Sequence, residues 1–136
     1  MAFDYGERRI GVAFANRATQ TATALKTIPA RDDSYAQREI ASLVSEWRPD
    51  AIVIGLPYTM DGGASPMAAR AMAFAERLSD AHGLPIETID ERLTSAEAGM
   101  LLREQRQTGQ RRRRIKKEDI DSLSAQLIAE TWLRCS

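Results

Sequence analysis

Three carboxylates in this chain stand where a carboxylate is expensive to keep. In Ala2-Phe3-Asp4-Tyr5-Gly6-Glu7-Arg8-Arg9-Ile10-Gly11-Val12-Ala13-Phe14-Ala15, Asp4 closes a short strand just before a glycine turn into a second strand. An acid inside an apolar run is costly unless it is hydrogen-bonded, paired or bound to a metal. Pro85 to Ile89 reads as a later strand that ends in Asp90-Glu91-Arg92. Ligands of α/β sheets collect at the carboxyl ends of strands, so Asp4 and one of that later pair can converge. Successive side chains on a strand point to opposite faces, so Asp90 and Glu91 do not both turn toward Asp4. Spacing alone does not choose between them.

The third acid is Asp121, in a helix expected from about Glu118 to Leu133. At 100° per residue, Ala125, Ile128 and Trp132 fall within about 40° of it. Asp121 therefore shares the apolar, core-facing side, whereas Asp119 falls opposite with Gln126 and Glu130. Clustered carboxylates repel unless a cation lies among them. Oxygen-only ligands suit Mg²⁺ or Mn²⁺ rather than zinc, and one or two such ions serve phosphodiester hydrolysis by activating water and stabilising the leaving oxygen. Each acid also has a plainer reading: Asp4 as a turn acid, Glu91 as a partner of Arg92, Asp121 as a first-turn acid favoured by the helix dipole. Three together, at separate element ends, favour the metal.

Charge points the same way. The chain is neutral overall, but Arg103 to Lys117 holds eight basic residues against one acid, Glu104, and the remainder carries the compensating negative excess. Within it, Arg111, Arg112, Arg113, Arg114, Lys116 and Lys117 form a candidate grip on phosphates, which Arg8 and Arg9 beside Asp4 extend. Such contacts are salt-dependent and largely blind to sequence. A solvated loop is the simpler alternative.

The elements that must position these groups follow in order. Two strands, Ala2 to Asp4 and Arg9 to Ala15, are followed by a weaker third, Thr23 to Pro29, in an antiparallel meander. Asp33 is expected to cap a helix to Trp47 that Pro49 stops. Ala51 to Pro57 is an apolar run without alternation, the mark of a strand covered on both faces. After the Asp61-Gly62-Gly63 turn, Ser65-Pro66 opens a helix that Gly83 ends. Thr94-Ser95-Ala96-Glu97 has the spacing of a capping box and opens another, fading near Gly109. This predicts an α/β fold: a mixed five-stranded sheet, antiparallel meander plus parallel strands, with helices on both faces. The 136 residues, 43% hydrophobic, suit a single domain over 1–136. No run is long and apolar enough for a membrane span, and the lone Cys135 fits a reducing cytoplasm. His82 is expected to end its helix in solvent.

Asp4-Tyr5-Gly6-Glu7-Arg8-Arg9-Ile10-Gly11-Val12-Ala13, Gly55-Leu56-Pro57 with Met60-Asp61-Gly62, Asp90-Glu91-Arg92-Leu93-Thr94, and Asp121-Ser122 with Ala125 fall in the order seen in one family. Across nearly the whole chain the sequence resembles the YqgF/RuvX family of RNase H-like nucleases. The resemblance implies an RNase H-like fold, a metal-dependent endonuclease, and Asp4, Glu91 and Asp121 as the catalytic, metal-holding acids. Glu91 is thus preferred to Asp90 by resemblance, with Asp90 and Arg92 in support, Arg92 on nucleic acid. It implies action in 5′-end maturation of pre-16S rRNA on structured precursor RNA or a pre-ribosomal particle. The alternative is resolution of branched DNA at Holliday junctions, which would need a homodimer rather than a monomer. A non-catalytic RNA-binding factor that kept the fold without the metal is the third reading. Thr59 departs from the Asn common before Met-Asp-Gly, and Glu118 and Asp119 depart from a Lys- and Gly-containing segment.

Overall fold

The computed structural model describes residues 1–57, 65–90 and 117–135, with side chains from Leu123 to Arg134 in the last stretch. The expected Asp61-Gly62-Gly63 turn, the helix opened at Thr94, Glu91, Arg92 and Arg111 to Lys116 lie outside the described residues, as do the side chains of Lys117 and Asp121. The elements are β1 (Ala2–Tyr5), β2 (Arg9–Asn16), β3 (Thr21–Pro29), α1 (Asp33–Trp47), β4 (Ile52–Leu56), α2 (Pro66–His82), β5 (Ile86–Asp90) and α3 (Lys117–Cys135). They form one five-stranded sheet in the order β3-β2-β1-β4-β5. β1–β2 and β2–β3 are antiparallel, while β1–β4 and β4–β5 are parallel. The meander and the two crossovers are as the sequence predicts.

The two faces are built from different materials. Met1, Phe3, Ile10, Val12, Ile28, Ile52, Ile54 and Leu56 pack against Ala36 and Ile40 of α1 and Ala71, Phe74, Ala75 and Leu78 of α2. Phe74 meets Phe3 edge-on at 5.8 Å and stacks on Tyr5 at 4.8 Å. On the other face Ala2, Ala13, Val53 and Ile89 meet Ala125, Ile128 and Ala129 of α3, with Ala15, Ala22 and Trp132 beside them. Alternation along the strands sends the bulky residues one way and the small ones the other. A floor of alanines lets α3 sit close upon the sheet.

The helix ends refine the sequence reading. Asp32, not Asp33, is the N-cap of α1: its carboxylate accepts the Ser34 and Tyr35 amides at 3.0 and 3.3 Å. Both aspartates have the required chemistry, but only Asp32 keeps the extended backbone of a cap, at φ −114° and ψ 109°. The helix closes before Pro49, at Arg48, which takes a left-handed φ of 49° and donates its amide to the Val44 carbonyl. Ser65 caps α2 with Pro66 in its first turn, and Gly83 closes it at φ 65°, both as expected. β1 runs one residue past Asp4, to Tyr5, because Tyr5 still pairs with Ile10.

Candidate functional site

Asp4 lies in the central strand, flanked by residues that declare their faces. Phe3 and Tyr5 belong to the core under α1 and α2, and Ala2 to the core under α3. By alternation Asp4 shares the α3 face with Ala2, near the carboxyl end of β1, and it is half-buried. Its neighbours across the sheet are glycines. Gly11 is its partner on β2, and Gly55 is next in the β1–β4 register after Phe3 and Ile54. Both are buried and put no side chain beside the carboxylate.

β5 fixes the face that Asp90 takes. Ile86 packs with the α1–α2 core. Glu87 accepts a hydrogen bond from Trp132 Nε1 of α3 at 2.8 Å, and Ile89 belongs to the α3 core. Asp90 has the parity of Ile86, so it falls on the face opposite Asp4, beside Leu56 at the end of β4. Glu91 lies beyond the described residues.

α3 is oriented by its far end. Trp132, three residues from the end of that helix, reaches Glu87 at the start of β5 and lies under Arg17, which follows β2. Both contacts are at the amino-terminal edge of the parallel strands. The helix therefore runs against β1 and begins toward the carboxyl edge, where Asp4 stands. Ala125 and Ile128 are buried against the sheet, as the sequence phase requires, and residue 121 occupies the helix one turn before Ala125. Gln126 and Glu130 take the other side, where they hydrogen-bond each other at 3.3 Å. Among the described residues no three His, Cys, Asp or Glu side chains stand together as a metal cluster; Asp4 alone of the three expected acids belongs to that set.

The β1–β2 turn carries the first basic groups. Gly6 donates its amide to the Arg9 carbonyl at 3.0 Å, and a Cβ at Gly6 would stand 2.8 Å from that oxygen. Arg9 has the parity of Gly11 and Ala13, which places it on the face of Asp4, half-buried. Arg8 is exposed in the turn, beside Glu7, which pairs with Arg70 of α2 at 2.8 Å. Sequence reasoning missed the paired glycines about Asp4. Their role depends on register, and only Gly11 lies close to Asp4 along the chain.

A family model described as "RuvX: Holliday junction resolvase" matches residues 1–135. The chain belongs to the RuvX family. Among curated RuvX relatives, a protein of Azotobacter vinelandii is 45% identical over 134 residues, spanning 98% of this chain and 91% of its own. One of Chromohalobacter salexigens is 42% identical over 132 residues, spanning 97% and 86%. Both are named as candidate pre-16S rRNA nucleases. Among solved structures, Thermus thermophilus RuvC in complex with a Holliday junction substrate superposes with a TM-score of 0.59 at 13% identity, covering 99% of this chain and 94% of that one. The same protein without that description superposes at 0.58 and 12%, covering 98% and 94%. This likeness bears out the RNase H-like fold. No helix among the described residues is long and apolar enough to cross a membrane.

Proposed function

We propose that this RuvX-family chain is a single-domain, divalent-metal-dependent endonuclease that hydrolyses phosphodiester bonds in the 5′-end maturation of pre-16S rRNA. The observation that carries the reading is the identity of up to 45%, over almost the entire chain, with relatives named for that activity. Asp4, Glu91 and Asp121 are the proposed acids. Asp4 fits a metal site: it is half-buried on a sheet face between Gly11 and Gly55, at the edge toward which α3 begins. The placement of Asp90 on the opposite face supports Glu91 as the acid of that pair. An all-oxygen set takes Mg²⁺ or Mn²⁺, which when bound supplies water activation and charge stabilisation at the phosphate. Arg8, Arg9, Arg92, Arg111 to Arg114, Lys116 and Lys117 hold the substrate backbone, a role that the position of Arg9 on the face of Asp4 supports. The setting is cytoplasmic, as for ribosome assembly.

The family description favours a second reading, resolution of Holliday junctions, which would need two sites and hence a homodimer. One experiment separates them. Precursor 16S RNA and a four-way DNA junction are each incubated with the protein and Mn²⁺, beside Asp4→Asn. RNA cleavage near the mature 5′ end, absent in the variant, supports maturation. Symmetric nicks in the junction with the RNA intact support the resolvase.

A further inference from the structure

At the edge of the sheet away from Asp4, a cleft of about 640 Å³ opens between the end of β2, the end of α1, the start of β5 and the last turns of α3. Phe14, Arg17, Arg48, Asp50, Glu87 and Trp132 line it. Nothing in the proposed hydrolysis uses these residues, since Phe14 lies three positions along β2 from Gly11, the partner of Asp4.

The cleft is built around a held guanidinium. The Arg17 guanidinium carbon stands 4.3 Å from the centre of the Trp132 ring. The indole beneath is fixed by its Nε1–H donating to Glu87 Oε2 at 2.8 Å. Arg17 is itself exposed, so the plane it presents away from the indole faces solvent. Phe14 packs on Trp47 at 5.1 Å, and Trp47 is 37% exposed, one of two large hydrophobic residues so placed among the described residues. Arg48 lines the same cleft from a left-handed backbone position, φ 49°, where a side chain is strained and glycine is not. Two guanidiniums and the Met1 amino group, whose pKa burial pushes down to about 6, line it with two carboxylates, so the cleft lacks the positive excess of Arg103 to Lys117. Such a surface suits flat, uncharged rings rather than phosphates. Unpaired bases stack on aromatic rings and on arginine planes, whatever their sequence.

We propose that the Arg17–Trp132 cleft is a second nucleic-acid contact that stacks an unpaired base of single-stranded RNA flanking the cleaved site. The inference rests on the nuclease reading for the identity of its ligand. It makes the footprint bipartite: a salt-sensitive grip on phosphates at the basic residues, and a salt-tolerant stack at the sheet edge away from Asp4.

The test is binding without cleavage. Trp47 and Trp132 are the two tryptophans of the chain, so Trp47→Phe leaves Trp132 as the sole indole reporter. The full chain carrying that change is titrated with decaadenylate RNA in EDTA, and the midpoint is read from Trp132 emission. A saturable change is expected. Arg17→Ala should move the midpoint about tenfold higher, within the range for loss of one base stack. Arg17→Lys, which keeps the charge but not the plane, should weaken binding similarly. Raising the salt should leave the Arg17-dependent part nearly constant. No response of Trp132, an unchanged midpoint in Arg17→Ala, or full affinity in Arg17→Lys would overturn the proposal. Circular dichroism confirms that the variants fold. Cleavage of precursor RNA is measured alongside. Cleavage without Arg17-dependent binding refutes the cleft and spares the nuclease, and Arg17-dependent binding without cleavage does the reverse.

Discussion

Ala125 decides how near the start of α3 comes to Asp4. It is fully buried, and its cluster includes Ala2, Ala13 and Val53 of the three central strands. Ala125→Leu adds three carbons at a contact with no room. Overpacking of this kind costs about 1–3 kcal/mol, and the helix must rise or slide to admit the side chain. Residue 121 lies one turn away on the same helix, so a displacement at Ala125 carries to it. A misplacement of about 1 Å at a reacting group can cost on the order of 100-fold in rate. Urea unfolding and Mn²⁺-dependent RNA cleavage are measured together, beside Ile40→Val under α1, which should cost about 0.5–1.5 kcal/mol. Ile40 is equally buried but on the far face of the sheet. The expectation is a steep fall in kcat for Ala125→Leu and a near-normal kcat for Ile40→Val, although both proteins are folded and destabilised. Equal kcat in the two variants would refute the idea that close packing of α3 sets the site.

Phe74→Ala removes a fully buried ring in contact with Phe3 and Tyr5. It should lower unfolding stability by about 3–5 kcal/mol in a urea titration, and a loss below about 1 kcal/mol would contradict the packing described. Asp32→Ala should cost about 1 kcal/mol and Asp33→Ala much less, since Asp32 alone accepts the first-turn amides of α1. Hydrogen bonds from the Tyr35 hydroxyl and Lys26, at 2.7 and 3.0 Å, hold the Glu39 carboxyl below its usual range. A depressed carboxylate contributes stability above its unfolded pKa that is lost as the pH falls through the folded value. Carboxyl NMR should show the Glu39 midpoint rising in Tyr35→Phe, and an unmoved midpoint would exclude the contact in solution.

The architecture was legible because its signals are local. The hairpin shows in the Asp4-Tyr5-Gly6 stretch, the buried parallel strand in Ile52 to Leu56, and the ends of α2 in Ser65-Pro66 and Gly83. The phase of α3 was readable for the same reason: Ala125, Ile128 and Trp132 recur at helical spacing and meet the sheet together. What failed to show was tertiary. Asp32 and Asp33 have the same side chain, and only the backbone separates cap from first residue. Which face Asp90 takes depends on the faces of Ile86, Glu87 and Ile89, and those follow from the helices above and below them. Gly55 reaches Asp4 only through strand register. Arg17 and Trp132 lie far apart along the chain and meet only in the fold.

The most direct measurement takes the three proposed acids one at a time. Asp4→Asn, Glu91→Gln and Asp121→Asn are each compared with the unaltered protein for Mn²⁺-dependent cleavage of precursor 16S RNA, with RNA affinity read in parallel in EDTA. Each change should abolish cleavage and leave affinity within a few-fold, because the acids hold metal while the basic groups hold the strand. Sustained cleavage by any one variant, above all Asp121→Asn, would contradict the three-acid site.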